Sequence, residues 1–165
     1  MGFSLIPGIR LESVYQITPE LLRQRGITLL LLDLDNTLIP YSKSLPSPKL
    51  IQWLDTIRRA STDLFIVSNS RRDRPDVFCD AADIPFIKEA GKPSKKAILS
   101  AMAQMHRGAG ETALVGDQIF TDTLGANRTG IQSILVRPIE MKKPYLAARY
   151  ALEQPFRALA KEKIK

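Results

Sequence analysis

Five short apolar runs recur along the chain, Thr28–Asp33, Asp63–Val67, Pro85–Ile87, Thr112–Val115 and Ser133–Val136, each ending in or followed by polar or small residues. Between them lie stretches patterned as helices. Thr18-Pro19 and Ser47-Pro48 each pair an N-cap hydroxyl with a proline at the first helical position, and Gly26 supplies a stop for the first. Leu50, Ile51, Leu54 and Ile57 share one helical face, and Ala97, Ile98, Ala101, Met102 and Met105 make another stripe. Strands and helices in alternation imply a parallel sheet with helices on both faces and right-handed crossovers. The expected class is α/β, a Rossmann-like three-layer α/β/α sandwich with a mainly parallel sheet.

At 165 residues and 44% hydrophobic side chains the chain holds one respectable core, and 25% charged residues exclude a wholly disordered polymer. The alternation ends near residue 141, so residues 1–141 read as the folded domain and 142–165 as a basic, helical C-terminal tail. Residues 1–17 carry scattered apolar anchors: Phe3, Leu5, Ile6, Leu11 and Val14. The formal charge of +7 is uneven: the tail holds seven basic residues against Glu153 and Glu162, while the remainder is near neutral. Such a tail favours nucleic acid, an anionic lipid surface or an acidic partner, or simply a solvated end. No aromatic-basic recognition module is visible, which argues against nucleic acid. Pro155 is expected to break or kink a helix running from Pro144. One cysteine, Cys79, excludes an internal disulfide, no apolar stretch approaches a membrane span, and no basic residue precedes Arg10 as in a secretory signal. These features point to a cytoplasmic protein.

Ligands of open parallel sheets bind beyond the carboxyl ends of the strands, and the reactive residues collect there. The first run ends in Asp33-Leu34-Asp35-Asn36-Thr37, the second in Ser68-Asn69-Ser70, and the fourth in Gly116-Asp117, with Thr121-Asp122 just beyond. Gly91-Lys92-Pro93-Ser94 follows the third. Crowded carboxylates require a cation or shared protons. Oxygen-only donors without histidine suit Mg²⁺, which accepts a substrate phosphate oxygen. A carboxylate nucleophile, Mg²⁺ and a lysine make a phosphoryl-transfer site. Arg71, Arg72 and Arg74 form a basic cluster that either grips a second phosphate or starts a solvated helix.

Asp-Leu-Asp-Asn-Thr-Leu (33–38), Ser-Asn-Ser (68–70), Lys92 in Gly-Lys-Pro, and Gly-Asp-Gln-Ile-Phe-Thr-Asp (116–122) resemble the four ordered motifs of the haloacid dehalogenase (HAD) superfamily. Gly125-Ala126-Asn127 and Gly130 extend the fourth. The Pro7 region, Asp-Asn-Thr-Leu and Ala-Gly-Lys-Pro are more narrowly similar to the YqeG-type phosphatases of subclass IIIA, relatives of mitochondrial phosphatidylglycerophosphate phosphatases. The resemblance implies a catalytic trio: Asp33 as nucleophile forming an aspartyl-phosphate, Asp35 as general acid and then base, and Lys92 neutralising both nucleophile and phosphoryl group. It implies phosphate binding by Ser68, Asn69 and Lys92. It also implies Mg²⁺ held by Asp33, the Asp35 backbone carbonyl, Asp117 and Asp122, the last directly, through water, or by orienting Lys92.

Asn69 follows Asp35 by 34 positions and Lys92 follows Ser70 by 22. Neither interval holds more than a helix and a strand, so no cap domain is expected. The open site would admit a large substrate, with the Ile39–Pro46 loop as lid or specificity element. The resemblance then favours phosphatidylglycerophosphate at a membrane surface. Soluble sugar or nucleotide phosphates, a nucleic-acid terminal phosphate and a non-enzymatic phosphoaspartate module are the alternatives.

Overall fold

The computed structural model describes residues 3–164. All five apolar runs form strands of one parallel sheet: β2 (Leu29–Leu32), β3 (Asp63–Val67), β4 (Phe86–Ile87), β5 (Thr112–Gly116) and β6 (Gln132–Leu135). Two strands of two residues join them, β1 (Ile9–Arg10) and β7 (Glu162–Lys163), and the sheet order is β4-β3-β2-β5-β6-β1-β7. Every pairing is parallel.

Period-two alternation divides the sheet into two cores. Leu30 and Leu32 join Leu64, Ile66 and Val115 in one cluster, which α1 (Pro19–Gln24), α2 (Pro48–Arg59) and α3 (Arg74–Ala82) cover through Leu22, Leu54, Ile57 and Phe78. Leu29 and Leu31 join Phe65, Val67 and Leu114 in the other, beneath α4 (Lys95–Gln104) and α5 (Leu124–Thr129). The sandwich is therefore three-layered. Each fully buried leucine of β2 contributes roughly 1.5–3 kcal/mol over an exposed one, enough to set the central strand firmly. The caps are as expected: Thr18 Oγ1 accepts from Leu21 N–H and Ser47 Oγ from Leu50 N–H, both at 3.2 Å. Among the described residues no cap domain is present between Asp35 and Lys92.

Some local expectations need correcting. Phe3 is no anchor; it is 76% exposed, whereas Leu11 and Val14 are buried. Of the two outcomes expected at Pro155, a break is ruled out: the last helix, α6, runs continuously from Pro144 to Ala158. The carbonyl that Pro155 leaves unpartnered belongs to Ala151, and both residues are exposed, so water can serve that oxygen. Residues 142–164 include α6 and β7, and β7 pairs with β1 at the sheet edge. Two charged side chains of α6, Glu153 and Arg157, are each only 1% exposed.

Candidate active site

The carboxyl ends of β2, β3 and β5 converge on one small cavity of about 200 Å³, lined by Asp33, Asp35, Tyr41, Asn69, Ser70, Lys92, Gln118 and Thr121. Asp33 extends the β2–β5 ladder by one bond, its N–H donating to Val115 O at 2.9 Å. The chain then turns sharply. Asn36 takes a left-handed φ of +66°, a conformation that its short amide tolerates. That amide donates to Glu140 O at 2.8 Å and accepts from Glu140 N–H at 2.7 Å, stitching the turn to the segment after β6.

Lys92 is the hub of the cavity. Its Nζ lies 2.7 Å from Asp33 Oδ1 and 2.7 Å from Asp122 Oδ1. Asn69 holds the lysine's backbone at both ends, donating to Lys92 O at 3.0 Å and accepting from Lys92 N–H at 2.8 Å. Asp33, Asp117 and Asp122 each bring a carboxylate oxygen within 4.8 Å of the others. The Thr37 hydroxyl bridges two of them, 3.0 Å from Asp33 Oδ2 and 3.3 Å from Asp117 Oδ1. With one proton, it donates to one at a time.

Asp35 stands apart from that trio. Its carboxylate pairs with Arg74, which also donates to Pro40 O at 2.8 Å and to Lys43 O, tying down the loop that carries Tyr41. Ser68 is wholly buried and its hydroxyl accepts from Ser70 N–H at 3.1 Å, so Asn69 and Ser70 are the residues of that motif that line the cavity. A larger hollow of about 570 Å³ lies between Ser4, Arg25, Ser133 and Glu162. It holds no carboxylate cluster, so chemistry rather than size locates the site.

A profile of the HAD-hydrolase-like family matches residues 89–152. The chain is 36% identical over 134 residues to the probable phosphatase YqeG of Bacillus subtilis, an alignment covering 81% of this chain and 78% of that protein. The chain belongs to the HAD superfamily, among its YqeG-like phosphatases. The fold is shared with a putative HAD subfamily IIIA hydrolase from Legionella pneumophila (TM-score 0.59, 16% identity, 88% of this chain and 78% of that one). It is shared also with the 3-deoxy-D-manno-octulosonate 8-phosphate phosphatase of Moraxella catarrhalis, whose structure contains magnesium and phosphate (TM-score 0.59, 13% identity, 90% and 83% coverage).

The electrostatics of this HAD phosphatase are those of a site short of positive charge. Burial and the neighbouring charges of Asp33 and Asp122 push the Asp117 carboxyl well above its ordinary range. Burial pushes Asp122 up to about 6, against the opposing pull of Lys92. Burial works against the Lys92 ammonium, but Asp122 and Asp33 outweigh it and raise its pKa. Asp35 is also raised, by burial, with Arg74 opposing. Three buried carboxylates against Lys92 and, beside Asp117, the partly buried Arg149 thus remain net negative and leave room for further cationic charge. An all-oxygen set fits a hard divalent ion.

Several residues at the site have no role that the sequence alone assigns to them. Thr37 sits inside the first motif, and its spacing of four from Asp33 was the available signal. Gln118 and Thr121 sit likewise inside the fourth motif. Arg74 reaches Asp35 from another element, and Arg149 of α6 reaches within 3.4 Å of Asp117 Oδ2. For those two no local pattern announces the contact.

Proposed function

We propose that the chain is a Mg²⁺-dependent phosphomonoester hydrolase working through an aspartyl-phosphate on Asp33. One observation carries the reading: three buried carboxylates within 4.8 Å of one another, two of them held by a single buried lysine. Asp33, Asp117, Asp122 and the Asp35 carbonyl would hold the ion. When bound it would supply positive charge to the phosphoryl oxygens and to the nucleophile.

The remaining chemistry belongs to the side chains. An Asp33 carboxylate oxygen attacks phosphorus as the bond to the alcohol oxygen breaks. Asp35, whose pKa burial raises, gives that oxygen its proton. Water then attacks phosphorus, Asp35 takes the water's proton, and the Asp33–phosphorus bond breaks to release inorganic phosphate. Lys92 balances charge at Asp33 throughout, and Ser70 with Asn69 lines the cavity where the phosphoryl oxygens would lie. Ser68 remains the proposed hydroxyl donor of that loop, since its proton is not committed by accepting from Ser70.

For the substrate we favour phosphatidylglycerophosphate, met by a cytoplasmic protein peripheral to the membrane. Exposed Lys142 and Lys143 support this, with Lys143 Nζ 5.9 Å from the ring of Tyr41 at the cavity. No helix among the described residues is long and apolar enough to cross a membrane. Purified chain should hydrolyse an aryl phosphate with Mg²⁺, stop in EDTA, and be inactive as Asp33→Asn. Wild-type turnover by Asp33→Asn would overturn the mechanism. Lys142→Gln/Lys143→Gln should lose anionic-vesicle binding and lipid hydrolysis while keeping the aryl phosphatase. Equal rates on soluble sugar phosphates and no vesicle binding by the wild type would remove the lipid.

A further inference from the structure

Arg149, Glu153 and Arg157 recur every four residues and so share one face of α6. All three end on the same short stretch, Asp117–Ile119, which joins the end of β5 to the helical turn Ile119–Thr123. Arg149 Nη2 lies 3.4 Å from Asp117 Oδ2. Glu153 Oε1 accepts from Ile119 N–H at 2.9 Å. Arg157 Nη2 donates to Asp117 O, and its Nη1 to Val136 O at 3.4 Å. Glu153 and Arg157 are themselves paired at 2.8 Å, and the Tyr150 ring lies 4.5 Å from the Arg157 guanidinium.

A buried ion pair is a poor route to stability, because desolvating two charges offsets most of their attraction. This pair does something more specific. It holds the carbonyl of Asp117 and the amide two residues on, so the backbone immediately after that carboxylate is fixed by charged partners, while the Val136 N–H donating to Gly116 O at 2.9 Å holds it just before. Partners behind a metal ligand set its orientation and thereby its affinity.

We propose that Glu153 and Arg157 are positioning residues for Asp117, setting its carboxylate for a divalent ion; this rests on the metal reading above. The fragment that charge alone marks as a tail is then part of the site's supporting frame.

Mg²⁺ titrated calorimetrically into substrate-free full-length protein, beside a thermal melt of each variant, tests this. Glu153→Ala and Arg157→Lys should weaken Mg²⁺ binding about tenfold. Glu153→Gln, whose amide oxygen still accepts from Ile119 N–H, should recover part of the loss. Leu146→Ala is the control: Leu146 is buried on the same helix and makes no contact with the loop through a polar group. It should lower the melting temperature and leave Mg²⁺ affinity unchanged. Should Glu153→Ala fail to fold, Arg157→Lys carries the test. Wild-type affinity in Glu153→Ala and Arg157→Lys, or an equal loss in Leu146→Ala, overturns the positioning role alone. A wild-type chain that binds no Mg²⁺ overturns the metal reading and the proposal with it.

Discussion

Gly116 has no room for a side chain, because the Asp122 carboxylate stands where its Cβ would be. Both residues flank Asp117, and the Asp122 side chain is held in place by Lys92 and by Gln118 N–H at 3.1 Å. Gly116→Ala should therefore push Asp122 off Lys92. The expected cost is about 1–3 kcal/mol in urea unfolding, with phosphatase activity falling more steeply than stability. A fully active Gly116→Ala would mean that Asp122 can move without consequence.

Lys92→Met should be more severe. It strips two buried carboxylates of their shared cation, and breaking a buried ion pair on one side costs about 3–5 kcal/mol. Because the carboxylates can escape by protonating, the destabilisation should shrink from pH 7 to pH 5. Mg²⁺ should restore part of it. Chemical denaturation at both pH values, with and without the ion, measures this.

The metal-free protein should lose stability as pH rises. Burial pushes the Asp122 carboxyl from an ordinary 3.8 up to about 6, and raises Asp117 in the same direction. Between those values the folded state binds more protons than the unfolded one, so stability is present below the window and lost through it. Melting temperatures in EDTA should fall from pH 4.5 to pH 7, and less so in Asp117→Asn. With Mg²⁺ the trend should reverse, since ligands must be deprotonated to bind.

Arg74 opposes the upward shift of Asp35 that burial causes. Arg74→Met should raise the Asp35 pKa further, moving the alkaline limb of the pH–rate profile to higher pH. The effect should appear with alkyl phosphates, whose leaving group needs the proton, and be weak with an aryl phosphate. It should come with a higher KM, because the Pro40–Lys43 backbone loses its anchor.

The legible part of the site was the part carried by strand ends. Asp33, Lys92, Asp117 and Asp122 were readable because each follows an apolar run, and a parallel sheet gathers such ends on one rim. Asn69 was readable as a residue of that rim but not in its contact: its amide grips the Lys92 backbone. Arg74 was readable only as charge, and its pairing with Asp35 depends on how far α3 sits from the first motif.

By itself the sequence determined the alternation of strand and helix, since the two-residue and 3.6-residue periods of buried side chains are local and survive in a linear string. It determined which residue types could meet at the rim. Only the tertiary structure decided that β1 and β7 extend the sheet beyond β6, because neither Ile9-Arg10 nor Glu162-Lys163 is an apolar run. It also decided that Glu153 and Arg157 are buried rather than solvated. Their burial depends on a partner loop about 40 positions upstream of Arg157, and charge counted along the chain carries no record of which charges the fold brings together.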